Sequence, residues 1–116
     1  MAISFGHDRP WGGVSQREYR RMAQDPGHIL TYRVHFAAIG WADRQGHAAF
    51  APGKLAALLS KKGQPLSDQS TTGAITRAKQ LGLVSPRSGA ACLVLPSHLF
   101  QKGKGAPVPC RLHLDR

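Results

Sequence analysis

The chain has 116 residues, a length typical of one compact domain. It carries 16 Lys and Arg against 6 Asp and Glu, and the formal charge of +10 favours a polyanionic partner, either nucleic acid or an anionic membrane surface. No apolar run approaches the roughly 18 residues that span a bilayer, and the N-terminal stretch lacks the apolar segment of a signal peptide. Only two cysteines are present, which suits a reducing compartment, so we expect a cytoplasmic protein.

The N-terminal residues 1–27 are predicted to form a basic arm. Residues 1–14 contain three glycines and a proline and show no regular apolar period. Ser15 and Glu18 have the spacing of a capping box, which predicts a short basic helix over the sequence QREYRRMA. The Asp-Pro-Gly sequence at 25–27 ends this arm.

A domain is predicted over residues 28–100, and its first two helices flank a short strand. HILTYRVHFAAIGWA predicts a helix over roughly residues 28–42, because its apolar residues share one helical face. These residues are Leu30, Val34, Ala37, Ala38 and Trp41. HAAF then predicts a short strand, and PGKLAALLS predicts a brief second helix with its leucines turned inward.

A third helix is predicted within the sequence SDQSTTGAITRAKQLGLV, residues 67–84. Ser67 or Asp68 can cap its first turn, and Gly82 suits a left-handed residue at its end. Its inward stripe is predicted to consist of Thr71, Ala74, Ile75, Ala78 and Leu81.

The sequence after the third helix predicts a β-hairpin. LVS and ACLVLP are prone to form strands, and the turn residues of PRSGA lie between them. A basic tail rich in Gly and Pro follows at 101–116, with a candidate last strand. The order of elements predicts an α+β fold, a winged helix-turn-helix. It has a three-helix core, a short strand paired with the hairpin, and a hairpin loop at 86–90 as the wing, all preceded by the basic arm.

The outward face of the third helix carries the side chains predicted to bind DNA. Arg can bind guanine through two hydrogen bonds, Gln can do the same for adenine, and Thr can contact phosphate or the thymine methyl group. Hydroxylated residues near a helix N-terminus also suit a phosphate. The predicted DNA-binding residues are Gln69, Ser70, Thr72, Gly73, Thr76, Arg77, Lys79 and Gln80 of the helix, Arg87 and Ser88 of the wing, and Lys61 and Lys62 after the second helix.

Three stretches, FAAIGWADRQGHAAFAPGKLAALL, STTGAITRAKQLGLV and ACLVLPSHLFQKGKG, resemble the small winged helix-turn-helix DNA-binding proteins of actinobacteria and their phages. The resemblance covers roughly residues 28–113, and its motifs follow in the same order. It implies sequence-directed binding to double-stranded DNA, in transcription regulation or in phage lysogeny or replication.

The sequence gives little support to a metal site or to catalysis. Cys92, His98, Cys110 and His113 lack the closely spaced ligand pairs that anchor a zinc site. The other histidines and the carboxylates form no triad or two-acid pair, and no Gly-rich phosphate loop is present. We therefore expect a binding protein with no cofactor, not an enzyme.

Two other kinds of partner stay open beside duplex DNA. A phage-encoded protein could use the same scaffold to bind a host protein, with Phe5, Trp11, Trp41 and Phe100 as interface anchors. RNA is less favoured, because no strand carries the aromatic residues that stack on bases. A homodimer is compatible with DNA binding, since two copies would read a palindrome.

Overall fold

The fold consists of four helices and a small two-stranded sheet, and the computed structural model describes residues 3–60 and 63–102. In chain order the elements are α1 (Gln16–Ala23), α2 (Leu30–Trp41), β1 (His47–Ala49), α3 (Lys54–Leu58), α4 (Asp68–Gln80) and β2 (Cys92–Val94). The strands are antiparallel, with Ala48 opposite Leu93. The predicted α+β class is confirmed at this level. No helix of the described part is long and apolar enough to cross a membrane.

The helix boundaries follow the capping residues that the sequence predicted. The Ser15 hydroxyl accepts a hydrogen bond from the Glu18 N–H at 3.2 Å, and the Ser67 hydroxyl accepts one from the Ser70 N–H at 3.1 Å. Each hydroxyl satisfies an amide that has no partner within its helix. Gly82 follows α4 with a φ of +73°, the left-handed conformation expected of a glycine at this place.

One hydrophobic core joins the helices and the sheet. The fully buried Val34, Ala37 and Ala38 of α2 lie at its centre, and the strands contribute Ala48 and Leu93. Helix α3 contributes Leu55 and Leu58, followed by Leu59, as predicted from their spacing. The sequence pattern therefore identified the inward leucines of α3 and the centre of the buried face of α2, whereas Leu30 and Trp41 of α2 are only half-buried.

Helix α1 packs on α2, so the core includes a fourth helix beside the three that the sequence predicted. A Cβ atom at Gly40 would lie 2.8 Å from the Arg20 backbone nitrogen, and only glycine permits this approach. The Arg20 Nε donates to the Gly40 carbonyl at 2.7 Å, and the Gln16 side-chain amide donates to the carbonyls of Ile39 and Ala42. Helix α1 thus supplies the partners that the last carbonyls of α2 lack.

A buried arginine connects three helices. The Arg33 Nε donates to the Ala23 carbonyl at 2.8 Å, at the end of α1, and its Nη2 donates to the Leu58 carbonyl at 3.4 Å, at the end of α3. Burial lowers the pKa of Arg33, and the nearby Asp25 carboxylate opposes that change. Because a helix C-terminus carries partial negative charge, a cation suits this position.

His35 ties α2 to the segment that follows α4. Its Nδ1 lies 2.9 Å from the Leu83 carbonyl oxygen and therefore carries the proton that it donates. Burial lowers the pKa of His35, and the hydrogen bond to Leu83 acts in the opposite direction. The neutral imidazole is thus the form that the fold favours.

The predicted hairpin is corrected in one strand. LVS forms no strand, because Leu83 and Val84 turn into the core. A single backbone hydrogen bond, from the Ser85 N–H to the Val94 carbonyl at 2.7 Å, joins this stretch to β2. The chain reverses instead at a tight turn over 89–92, which precedes the pairing of β2 with β1. The last strand predicted in the tail falls on 103–116, outside the described residues.

Candidate nucleic-acid interface

Helix α4 has two faces of opposite character. Its buried face is formed by Thr71, Ala74, Ile75 and Ala78, as predicted. The predicted DNA-binding residues Gln69, Ser70, Thr72, Gly73, Thr76, Arg77 and Gln80 are exposed, and Lys79 is half-buried at the flank. The exposed set offers amide, hydroxyl and guanidinium groups from one rigid helix.

Leu81 corrects the predicted inward stripe. The sequence placed it on the buried face, but its side chain is 47 % exposed. The helix ends at Gln80, and the left-handed Gly82 redirects the chain before another turn can form. Leu83 takes the core position instead, where its N–H donates to the Ala78 carbonyl at 2.9 Å.

Two hydroxyl groups at the start of α4 stabilise the helix by hydrogen bonds, and two others are exposed. The Ser67 hydroxyl caps the helix, and the Thr71 hydroxyl donates to the Ser67 carbonyl at 2.8 Å. The side chains of Ser70 and Thr72 lie exposed within the first two turns. Near a helix N-terminus such groups suit a phosphate, because the helix dipole favours negative charge there.

At Gly73 the middle of the exposed face of α4 has no side chain. A Cβ atom there would meet nothing within 4 Å, so no neighbour in the described part explains the absence of a side chain. Glycine in mid-helix costs about 0.5–1 kcal/mol relative to alanine. Thr72 and Thr76 beside it are short, whereas Gln69 and Arg77 are long. The helix backbone can therefore approach a flat or convex surface closely at this point.

A shallow groove of about 330 Å³ lies beside the first turns of α4. Asp68 and Thr72 form one side, Gly53 at the start of α3 forms another, and Ala90 of the 89–92 turn closes it. The groove brings together α3, α4 and the turn before β2. These are the elements in which the sequence analysis placed the helix-turn-helix and the wing.

The predicted wing residues behave differently from one another. Arg87 is exposed, so it is free to meet a phosphate. Ser88 is only 4 % exposed, and its hydroxyl accepts from the Val94 N–H at 2.9 Å and donates to the Val94 carbonyl at 3.2 Å. Ser88 therefore supports the loop, and its burial argues against the predicted contact with DNA. Ala90, not Ser88, lies at the tip, because the turn closes between Gly89 and Cys92.

Two charged residues of this surface were not among the predicted DNA-binding residues. Lys54 is exposed and stands between Gly53 and Leu55, which both line the groove. Asp68 was considered only as a cap, yet its carboxylate is exposed in the groove. The cation following Pro-Gly at a helix start was the available signal for Lys54. The predicted contacts Lys61 and Lys62 lie outside the described residues.

The residues weighed for zinc do not form a site in the described part of the chain. Cys92 is buried in β2 and His98 is exposed in the turn that follows it. Within residues 3–60 and 63–102 no group of three His, Cys, Asp or Glu side chains could hold a metal ion. Cys110 and His113 lie outside these ranges.

Comparisons with known proteins add no relative to this picture. Family models, curated protein sequences and solved structures were each searched, and none matched the chain. Function is therefore inferred from the residues and geometry of the surface itself.

Proposed function

We propose that this protein binds double-stranded DNA in a sequence-directed manner, as a winged helix-turn-helix protein in which α4 enters the major groove. The observation that carries the proposal is the exposed face of α4, whose polar side chains project from a helix anchored on its other side by Thr71, Ala74, Ile75 and Ala78. On this proposal the protein acts through binding, without catalysis. It serves transcription regulation or phage lysogeny or replication.

The order and packing of the elements support this assignment. Helix α2, strand β1, helices α3 and α4, and strand β2 follow in the order predicted for a winged helix-turn-helix, with the first strand of the hairpin missing, and β1 pairs with β2. Helix α4 packs on α2 and α3. The turn over 89–92 takes the position of a short wing beside the start of α4.

The chemistry of α4 supports base contacts. Gln69, Gly73, Thr76 and Gln80 follow one another at spacings of four, three and four residues, which places them along one exposed stripe, and Arg77 is adjacent. Arg and Gln can each make two hydrogen bonds to a purine edge in the major groove. Gly73 at the centre of the stripe lets the backbone approach the bases.

The charge of the chain supports phosphate contacts. The formal charge of +10 attracts a polyanion, and Lys54, Arg77 and Arg87 are exposed on or near the proposed surface. Each phosphate that is neutralised should contribute about −0.9 to the slope of log affinity against log salt concentration. Asp68 opposes phosphate nearby, and its carboxylate can accept a hydrogen bond from the cytosine amino group.

The experiment begins with selection of bound duplexes from a random DNA pool, followed by fluorescence anisotropy on the recovered site at several salt concentrations. Arg77→Ala should cost about 1–3 kcal/mol on that site and relax the preference at one base pair. Arg17→Ala is the matched control, since it removes an exposed cation from α1, which packs on α2. It should leave base preference unchanged.

The outcomes separate the alternatives. A pool that yields no motif, with affinity that is insensitive to salt, refutes DNA binding. Equal losses for Arg77→Ala on every duplex would make that residue a phosphate contact. Two recovered half-sites related by symmetry would support the predicted homodimer.

A further inference from the structure

A second surface lies away from the groove beside α4. An apolar cleft of about 610 Å³, here named the end cleft, is formed where the N-terminal segment meets the end of the described chain. Its apolar lining comes from Ile3, Phe5, Trp11, Val14, Leu99 and Phe100, and Ile39 of α2 contributes from the core. Its volume falls within the range of about 300–1,000 Å³ that ligand pockets occupy.

The walls of the end cleft are tied together. The Ser4 N–H donates to the Gln101 side-chain oxygen at 2.9 Å, and the Gln101 side-chain amide donates in return to the Ser4 carbonyl. Gln16, which also lines the cleft, is fixed by its hydrogen bonds to α2. The cleft is therefore a formed surface in which apolar side chains stay open to solvent.

One rim of the cleft offers backbone groups. Residues 11–14 belong to no helix or strand, and within the described part of the chain no hydrogen bond involves their backbone N–H or carbonyl groups. A Cβ atom at Gly12 or Gly13 would meet no described residue within 4 Å, so another backbone can approach there. Unpaired backbone groups beside apolar pockets are the arrangement by which proteins bind a peptide through backbone pairing.

Charge indicates which kind of peptide fits. Lys102 is the ionisable residue among the described residues that line the cleft, and the whole chain carries +10. Residues 103–116 of the chain contain Lys104, Arg111 and Arg116 against the single carboxylate side chain of Asp115. An acidic segment complements Lys102 better than this basic tail does.

We propose that the end cleft binds an acidic segment of a partner protein, which inserts bulky apolar side chains into the cleft and pairs its backbone with residues 11–14. This interaction goes beyond DNA binding and is independent of it, because the cleft and the α4 surface share no residue. Phe5, Trp11 and Phe100, which the sequence suggested as protein-binding anchors, all line the cleft, whereas Trp41 packs on Phe50.

The test uses the full chain to select peptides from a random 12-residue display library, followed by anisotropy with the fluorescein-labelled synthetic peptides. Selected peptides should combine carboxylates with one or two bulky apolar residues and bind with one-to-one stoichiometry. Val14→Glu should weaken them at least tenfold, since Val14 is 54 % exposed in the cleft. Ile29→Glu is the control, as Ile29 is 68 % exposed outside it and should change affinity less than twofold.

Lys102→Glu provides a second variant that leaves the apolar lining in place. It should weaken the same peptides at least fivefold and improve the binding of peptides whose carboxylates are replaced by lysines. Both cleft variants should leave the base preference for duplex DNA unchanged, so failure here and failure of DNA binding are distinguishable. The proposal is overturned if selection yields no acidic apolar peptides, if Ile29→Glu weakens them as much as Val14→Glu, or if the cleft variants only dissociate a homodimer.

Discussion

Gly73→Ala provides a sharp test of the proposed DNA surface, because stability and affinity should change in opposite directions. The added methyl group meets no atom within 4 Å among the residues that the structure describes, so no contact there is strained. Alanine is favoured over glycine in mid-helix by about 0.5–1 kcal/mol, which corresponds to a rise in Tm of about 2–8 °C for a domain of this size.

Affinity should fall in the same variant if the backbone at residue 73 approaches a base or a phosphate closely. A methyl group forced into a packed interface costs about 1–3 kcal/mol, so binding to the selected site should weaken about fivefold or more. The assays are thermal unfolding followed by circular dichroism and anisotropy with the selected duplex. Because the variant is more stable, lost affinity could not be attributed to unfolding. Raised Tm with unchanged affinity for every duplex would refute close approach by this face of α4.

The remaining predictions concern stability. Gly40→Ala makes the same chemical change as Gly73→Ala but should destabilise by about 1–3 kcal/mol, since its Cβ would lie 2.8 Å from the Arg20 backbone nitrogen; urea unfolding that shows no loss would contradict the close packing of α1 on α2. Arg33→Ala should cost about 2–4 kcal/mol in the same assay, because two buried carbonyls lose their donors. Because folding lowers the pKa of His35, the unfolded chain binds a proton at this residue more readily than the folded protein does. The contribution of His35 to the free energy of unfolding is therefore complete above the ordinary histidine pKa of about 6.5 and declines as pH falls below it. The difference in unfolding free energy between pH 7.5 and pH 5 should therefore be smaller in His35→Gln than in the native chain, and an equal difference would exclude His35 as its source.

The sequence predicted features that depend on neighbouring residues along the chain, such as helix caps and inward helix faces. The hydroxyl caps at Ser15 and Ser67 formed, because a hydroxyl and an amide three residues apart meet without help from the rest of the fold. The other half of the predicted capping box did not form, since the Glu18 carboxylate accepts from Arg21 instead. Spacing also predicted the inward leucines of α3 and four of the five inward residues of α4, because an amphipathic helix buries its apolar stripe. It did not predict that α2 also buries Arg33 and Gly40, on the side where α1 packs.

Tertiary contacts decided what the pattern missed. The sequence predicted a strand at Leu83 and Val84, but both side chains pack in or against the hydrophobic core and the stretch forms no strand. The sequence predicted an exposed turn residue at Ser88, but the buried amide of Val94 needs a hydrogen-bond acceptor, and the Ser88 hydroxyl supplies it. Neither competition is visible in a stretch of a few residues.

The candidate site shows the same division. The sequence predicted which side chains of α4 point outward, since that depends only on helical period. It missed Lys54, whose relevance depends on the approach of the start of α3 to α4. It grouped Phe5, Trp11 and Phe100 with Trp41 as possible interface anchors but did not predict that the first three meet in one cleft, because that depends on the contact between Ser4 and Gln101.

The guanidinium group of Arg33 has a consequence for how the molecule comes apart. Its N–H groups donate to the final carbonyls of α1 and α3, and these hydrogen bonds replace the water that burial removes. Detachment of α1 would break one of these hydrogen bonds and uncover Arg33, so opening of one helix weakens the contact that joins all three. Hydrogen exchange should accordingly find α1, α2 and α3 protected to the same degree, as one cooperative unit, and removal of residues 1–24 should unfold the remainder instead of leaving a smaller stable domain.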